Sequence, residues 1–139
     1  MLSQTAREFL AKNHRGVLTT FRSSGGAQMS IVSCGLYRDG VAFTTTEDRA
    51  KLKNLRRKSR CAVLVSQPDW RGYLTVEGKA AIMAPDNMEV AALRMAFRDV
   101  YRAAGGGEHP NWAEYDKAMI DDRRAIVIVM PEKVYGNRV

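Results

Sequence analysis

The chain has 139 residues, of which 45% are apolar, with two cysteines and a formal net charge of +7. That size and content suit one compact domain over residues 1–139 and exclude a secreted scaffold held by disulfides. No apolar run nears the roughly 20 residues of a membrane helix, and Met1–Thr5 lacks the basic and apolar regions of a signal peptide, so a cytoplasmic protein with no membrane partner is expected.

Residues 5–13 read as an amphipathic helix, with Thr5 and Glu8 at capping-box spacing and Ala6, Phe9 and Leu10 on one face. Strand patterns follow. Val17–Phe21 is β-branched and aromatic, and Ser23–Gly26 is a turn. Gln28–Tyr37 is a longer strand with Met29 and Ile31 on one face and Gln28, Ser30, Val32 and Cys34 on the other. Arg38-Asp39-Gly40 is a hairpin turn, and Val41–Thr45 is its return strand.

From Asp48 to Arg60 there are seven basic residues and one acid, which holds most of the surplus charge. Leu52 and Leu55 lie three apart within this segment, as in a helix with one buried face. Such a concentration points to an anionic partner. A solvated basic helix is the plainer alternative at this stage.

Cys61–Ser66 is an almost wholly apolar strand, broken by Pro68-Asp69. Tyr73–Met83 is a long strand whose interior Gly78 suggests a bulge or a close backbone approach. Asp86 and Glu89 can cap a helix carrying Val90, Leu93, Phe97, Val100 and Tyr101, which Gly105-Gly106-Gly107 ends. Trp112, Tyr115 and Met119 mark another short helix, Arg124–Met130 the last long strand, and Lys133–Gly136 a short tail. About six strands joined mostly by short turns predict antiparallel pairing and a mainly β fold, a small closed or split barrel with peripheral helices.

The residues offer no hydrolytic apparatus. His14 and His109 are the only histidines and read as surface groups. Cys34 and Cys61 read as buried thiols, and no cluster has metal-ligand spacing. Asp121-Asp122-Arg123-Arg124 reads as a solvated helix end. One segment carries chemistry. Thr44-Thr45-Thr46 leads through a short turn to Arg49 and Lys51 at the start of a helix. Hydroxyls, a guanidinium, an ammonium and free helix amides together suit a phosphate group.

This segment resembles the pyridoxamine 5′-phosphate oxidase-like family. Asp48-Arg49-Ala50-Lys51 followed by Asn54-Leu55-Arg56-Arg57 is most similar to its F420-dependent branch, the class B flavin/deazaflavin oxidoreductases. The resemblance continues through Gly16–Thr20 and Gly26–Val32, Trp70–Gly78, and Asp122-Arg123-Arg124 with Val134-Tyr135-Gly136, so it covers nearly the whole chain. It implies a six-stranded antiparallel split β-barrel, an oxidoreductase acting on a small planar or conjugated substrate, and a homodimer with its sites at the subunit interface. Arg49 and Lys51 would hold the cofactor phosphate, with Thr45 and Thr46 beside it. Gln28, Ser30 and Val32 would approach the ring system, Asn54 and Arg56 would complete a basic wall, and Trp70 and Tyr73 would come from the second subunit.

Coenzyme F420 is the expected cofactor and FMN the alternative. F420 has a polyglutamate tail, and Arg22, Arg38, Lys53, Arg56 and Arg57 are cations to spare. The C-terminus lacks the Arg-Leu-x-Pro type of segment with which authentic members bind the vitamin, so oxidation of vitamin B6 is not expected. Two readings outside this one are a cofactor-binding protein without turnover and a basic nucleic-acid-binding barrel. The aromatic residues form no stacking series on alternating strand positions, which speaks against nucleic acid.

Overall fold

The computed structural model describes residues 1–139. Helix α1 (Gln4–Lys12) is capped by Ser3, whose hydroxyl accepts from the Ala6 amide at 3.0 Å, so the cap lies two residues before the Thr5 expected from sequence. The strands are β1 (Arg15–Phe21), β2 (Ala27–Ser33), β3 (Gly35–Tyr37), β4 (Gly40–Thr46), β5 (Arg60–Ser66), β6 (Tyr73–Met83) and β7 (Arg124–Gly136). Helix α2 (Ala50–Arg57) joins β4 to β5, while α3 (Val90–Tyr101) and α4 (Trp112–Asp121) join β6 to β7. All strands form one antiparallel sheet in the order β2-β1-β5-β6-β7-β4-β3.

The fold is the expected mainly β, curled antiparallel half-barrel, with seven strands in place of six. The expected strand 28–37 is two strands. At the break, the Cys34 amide donates to the His14 carbonyl at 2.8 Å, and the His14 Nδ1–H donates to the Cys34 carbonyl at 3.0 Å. His14 is therefore half-buried structure instead of a surface group. Gly35 follows because a Cβ there would stand 1.8 Å from the Ala103 carbonyl oxygen.

The expected short tail 133–136 is the second half of β7. Gly78 pairs with Pro131 and Glu77 with Lys133, leaving Glu132 as the extra residue of a bulge. Proline breaks a regular ladder because it has no amide hydrogen, and a bulge removes that demand. Gly78 is required there, since its Cβ would meet the Met130 carbonyl oxygen at 1.8 Å.

The sheet encloses one core and carries a second on its back. Inside lie Leu18, Val41, Phe43, Val63, Val65, Leu74, Val76, Val127 and Val129, closed at the ends by Phe9 and Leu10 of α1 and by Leu52 and Leu55 of α2. Outside, α3 and α4 lay Leu93, Phe97, Val100 and Tyr115 on Ala42, Met83, Ile126 and Ile128. Glu89 caps α3 by accepting from the Ala91 and Ala92 amides, which holds its carboxyl below the usual range, whereas Asp86 turns to Arg56 at 3.5 Å.

After α3 the chain makes a π-turn over Arg102–Gly106, which needs the left-handed φ of 90° at Gly105. His109, expected on a surface loop, packs instead with Tyr101, Trp112 and Tyr115 at ring separations of 5.3–5.7 Å. Both cysteines are buried, and burial pushes each thiol up to about 12. No helix is long and apolar enough to cross a membrane.

Candidate functional site

The end of β4 delivers Thr44, Thr45 and Thr46 to a tight turn. Alternation buries Thr45 on the inner face and leaves Thr44 and Thr46 on the outer face, with Thr46 opposite Arg124 of β7. The Thr46 hydroxyl donates to Asp48 at 2.5 Å, and this bond is the main reason the Asp48 carboxyl sits below its usual range. Asp48 is thereby kept as an anion on the turn. Arg49 then stands at the N-cap of α2 with extended backbone, and no side chain caps the helix amides.

Lys51 is half-buried in the first turn of α2. Burial lowers the affinity of its ammonium for the proton, and the Arg49 and Arg124 guanidinium groups lower it further. Arg124, which was not expected at this site, thus joins Arg49 in acting on Lys51. Arg124 donates from Nη1 to the Thr44 hydroxyl at 3.2 Å. Its Nε is shut off from solvent without a hydrogen-bond acceptor, with Asp122 Oδ2 at 3.7 Å. Asp48 and Asp122 lie beside Arg49 and Arg124, whereas Lys51 feels two like charges and no acid, which favours an anion beside it. A phosphate fits that demand, and the uncapped amides of α2 add to it.

Arg124 escaped the sequence reading because its neighbours Asp122 and Arg123 made it look like part of a solvated run. The available signal was a cation at the first position of an otherwise apolar strand. A side chain there is set by the strand's facing pattern and points with Thr44 and Thr46.

The remaining candidates separate into groups. Asn54 is buried, and its amide donates to the Thr20 hydroxyl at 3.1 Å and to Gln28 Oε1 at 3.4 Å. It ties α2 across the opening of the curled sheet to β1 and β2, a positioning task. Arg56 is held by both carboxylate oxygens of Glu47, the shorter contact being 2.5 Å, and by Asp86. Its charge is already compensated within the chain. Arg57 donates to the Phe21 carbonyl and lies 3.4 Å from Asn54 Oδ1.

On β2, Val32 belongs to the inner core, so its side chain cannot meet a ligand, whereas Gln28 and Ser30 are half-buried. β2 is an edge strand, and one side of its backbone has no sheet partner. Trp70 and Tyr73 lie elsewhere, on the outer face of the sheet. They line a groove of about 400 Å³ with Val17, Thr19, Met29 and Leu64. Ile31 is 71% exposed and Trp70 67% exposed. Trp70 also holds a left-handed φ of 65°, uncommon for a bulky residue. The structure of one chain therefore brings together Thr46, Arg49 and Lys51, turns the expected Thr45 side chain inward and away from them, joins Gln28 to Asn54, and leaves Trp70 and Tyr73 apart from both.

Comparison with solved structures gives the same fold. Over 98% of this chain and 84% of the other, it superposes on the conserved hypothetical protein Rv2991 of Mycobacterium tuberculosis with a TM-score of 0.77 at 18% identity. An F420 reductase matches with a TM-score of 0.70 at 23% identity, over 96% of this chain and 98% of that one. HupZ of Group A Streptococcus matches at 0.66 and 13% identity, over 99% and 95% of the two chains. A family model described as pyridoxamine 5′-phosphate oxidase matches residues 2–138, so the chain belongs to the pyridoxamine 5′-phosphate oxidase family.

Proposed function

We propose that the protein is an F420-dependent oxidoreductase that works as a homodimer on a small planar or conjugated substrate. The observation that carries this reading is the meeting of Arg49, Lys51 and Arg124 at the uncapped start of α2. When bound, a reduced deazaflavin supplies a hydride to an electrophilic carbon of the substrate. The chain's own residues bind and orient. Lys51 and Arg49 would hold the phosphate by charge-assisted hydrogen bonds, and the Thr46 hydroxyl, which donates to Asp48, fixes the turn that leads into them. Asn54 keeps α2 against β1, so these cations stay in place without spending entropy on each binding event.

F420 is preferred to FMN on the closeness of the Asp48–Arg57 motif and on the similarity to the F420 reductase fold. Lys53 and Arg57 are exposed along α2 and can meet the anionic tail. Arg56 supports the preference less than its sequence suggests, because Glu47 and Asp86 already occupy it. The homodimer reading is supported by the exposed apolar side chains of Met29, Ile31, Trp70 and Tyr135, three of which (Met29, Trp70 and Tyr135) line one groove.

The test is an anaerobic transfer assay with reduced F420 and a quinone acceptor, followed by the visible absorbance of the reoxidised cofactor. Protein-dependent reoxidation by the quinone is the expected result, and a parallel reaction in air without quinone should release little hydrogen peroxide. Binding without transfer to any of a panel of quinones and conjugated carbonyls would make the protein a carrier. Reoxidation of bound FMN with peroxide release would replace F420 by FMN.

A further inference from the structure

A cavity of about 390 Å³ opens on the outer face of the sheet beside the cation cluster. Its floor is Thr44 and Arg124, and Ser33 stands at its β2 side. Its opposite wall is Tyr101 and the backbone of Gly105 and Gly106 from the π-turn. The wall is flat for a reason of sequence. A Cβ on Gly106 would stand 2.5 Å from the Tyr101 ring, so glycine lets the ring lie directly on the backbone. The Tyr115 hydroxyl is spent on the Phe97 carbonyl at 3.0 Å, which leaves that ring as an apolar back wall.

The charge in this cavity is one-sided. No carboxylate lines it, and Arg124 lies at its floor with one hydrogen bond, to Thr44. Nε is enclosed and has no hydrogen-bond acceptor. Asp122, outside the lining, lies 3.7 Å from the enclosed Nε, so the side open to the cavity is the Nη edge, whose remaining N–H groups can take a carboxylate in two parallel hydrogen bonds. The volume is near the lower end of the roughly 300–1,000 Å³ of small-molecule sites, enough for one or two fused rings and too little for a three-ring cofactor with its side chain.

We propose that this cavity binds the acceptor substrate, and that the acceptor is a planar ring compound carrying a carboxylate held by Arg124. The ring lies between Tyr101 and the β4 backbone, and Thr44 keeps the guanidinium aimed. This proposal deepens the oxidoreductase reading and rests on it for the word acceptor. The cavity and its anion preference stand on geometry alone. Arg124 is thus shared between two neighbouring anions, the cofactor phosphate on its Lys51 side and the acid on its Tyr101 side.

The test uses the protein without cofactor and two small probes of one shape, benzoate and neutral benzamide. Two-dimensional NMR follows the amides of Gly105, Gly106 and Thr44. Benzoate should shift these amides and bind about tenfold or more tighter than benzamide, as a charged pair of hydrogen bonds requires. Arg124→Gln should abolish that preference, and Arg124→Lys, which keeps the charge without the fork, should restore only part of it. Ser33→Phe, a change at an exposed strand position with Arg124 intact, should block both probes. Lys51→Gln should weaken benzoate by no more than about threefold, the size of a neighbouring-charge effect at a partly exposed site. Equal loss in the Lys51 and Arg124 variants would place the anion in the phosphate site and overturn the proposal. Equal affinity for the two probes, or amide shifts confined to residues outside this cavity, would overturn it as well. None of these outcomes depends on whether F420 or FMN binds, so a failure here is distinct from a failure of the cofactor reading.

Discussion

Lys51→Ala is expected to weaken cofactor binding by about 1.5–3 kcal/mol, roughly 10- to 150-fold, the range for a hydrogen bond to a charged group. The reason lies in where the ammonium sits. It is half-buried in the first turn of α2, beside Arg49 and Arg124, and no acid neutralises it. Removing it leaves a desolvated phosphate facing one partner fewer. Lys58 is the matched comparison. It is exposed at the C-cap of the same helix, about seven residues and 10 Å further along. Lys58→Ala should change binding less than about twofold, since an exposed charge at that distance is screened at physiological salt. Fluorescence titration of both variants measures the difference. Equal losses would mean that diffuse positive charge drives binding and that no phosphate site exists at Arg49–Lys51. The fold should survive both changes, because neither side chain belongs to the inner core.

The second large effect concerns assembly. Ile31→Asp is expected to convert the protein from a dimer to a monomer and to lower cofactor affinity with it. Ile31 stands 71% exposed on the outer face of an edge strand, next to the groove lined by Met29 and Trp70. Burying such a side chain contributes about 1.5–3 kcal/mol, and a two-fold interface counts it twice. The dimer constant should therefore fall by roughly 10²- to 10⁴-fold before the penalty of burying the new carboxylate is added. Light scattering reads the mass, and thermal melting confirms that the monomer is folded, as a change at an exposed position allows. A variant that stays dimeric would mean that this apolar face serves another purpose. A wild-type monomer with full cofactor affinity would remove the need for a second subunit's Trp70 and Tyr73.

What the sequence made legible was set by local rules. β1, β4, β5 and β6 follow alternation or apolar runs that no tertiary contact reverses. The basic helix could be seen because Leu52 and Leu55 mark its buried face amid charge. The Gly78 irregularity was legible because a glycine inside a strand has few other uses. The break at Cys34 was not, since it depends on a reciprocal pair of bonds with His14, twenty residues away. The continuation of β7 past Pro131 was hidden because proline argues against a strand unless the opposing bulge is known.

The same limit applies to the candidate site. Arg49 and Lys51 could be nominated from their place at a helix start. That Arg56 is neutralised by Glu47 and Asp86 depends on how the β4 turn and the loop after β6 meet, which no spacing encodes. Asn54 stood in a basic run and read as part of it, yet the helix turns it inward to Thr20 and Gln28. Val32 alternates with its neighbours as expected, and that alternation is what buries it away from a ligand.

The most direct measurement is a side-by-side titration of the purified protein with F420 and FMN at matched ionic strength, followed by cofactor fluorescence. The expected result is one F420 bound per protomer, tighter than FMN, with the affinity lost in Lys51→Ala and kept in Lys58→Ala. Binding of neither cofactor, or binding that ignores the loss of Lys51, would contradict the assignment of Arg49 and Lys51 as the phosphate site of a deazaflavin enzyme.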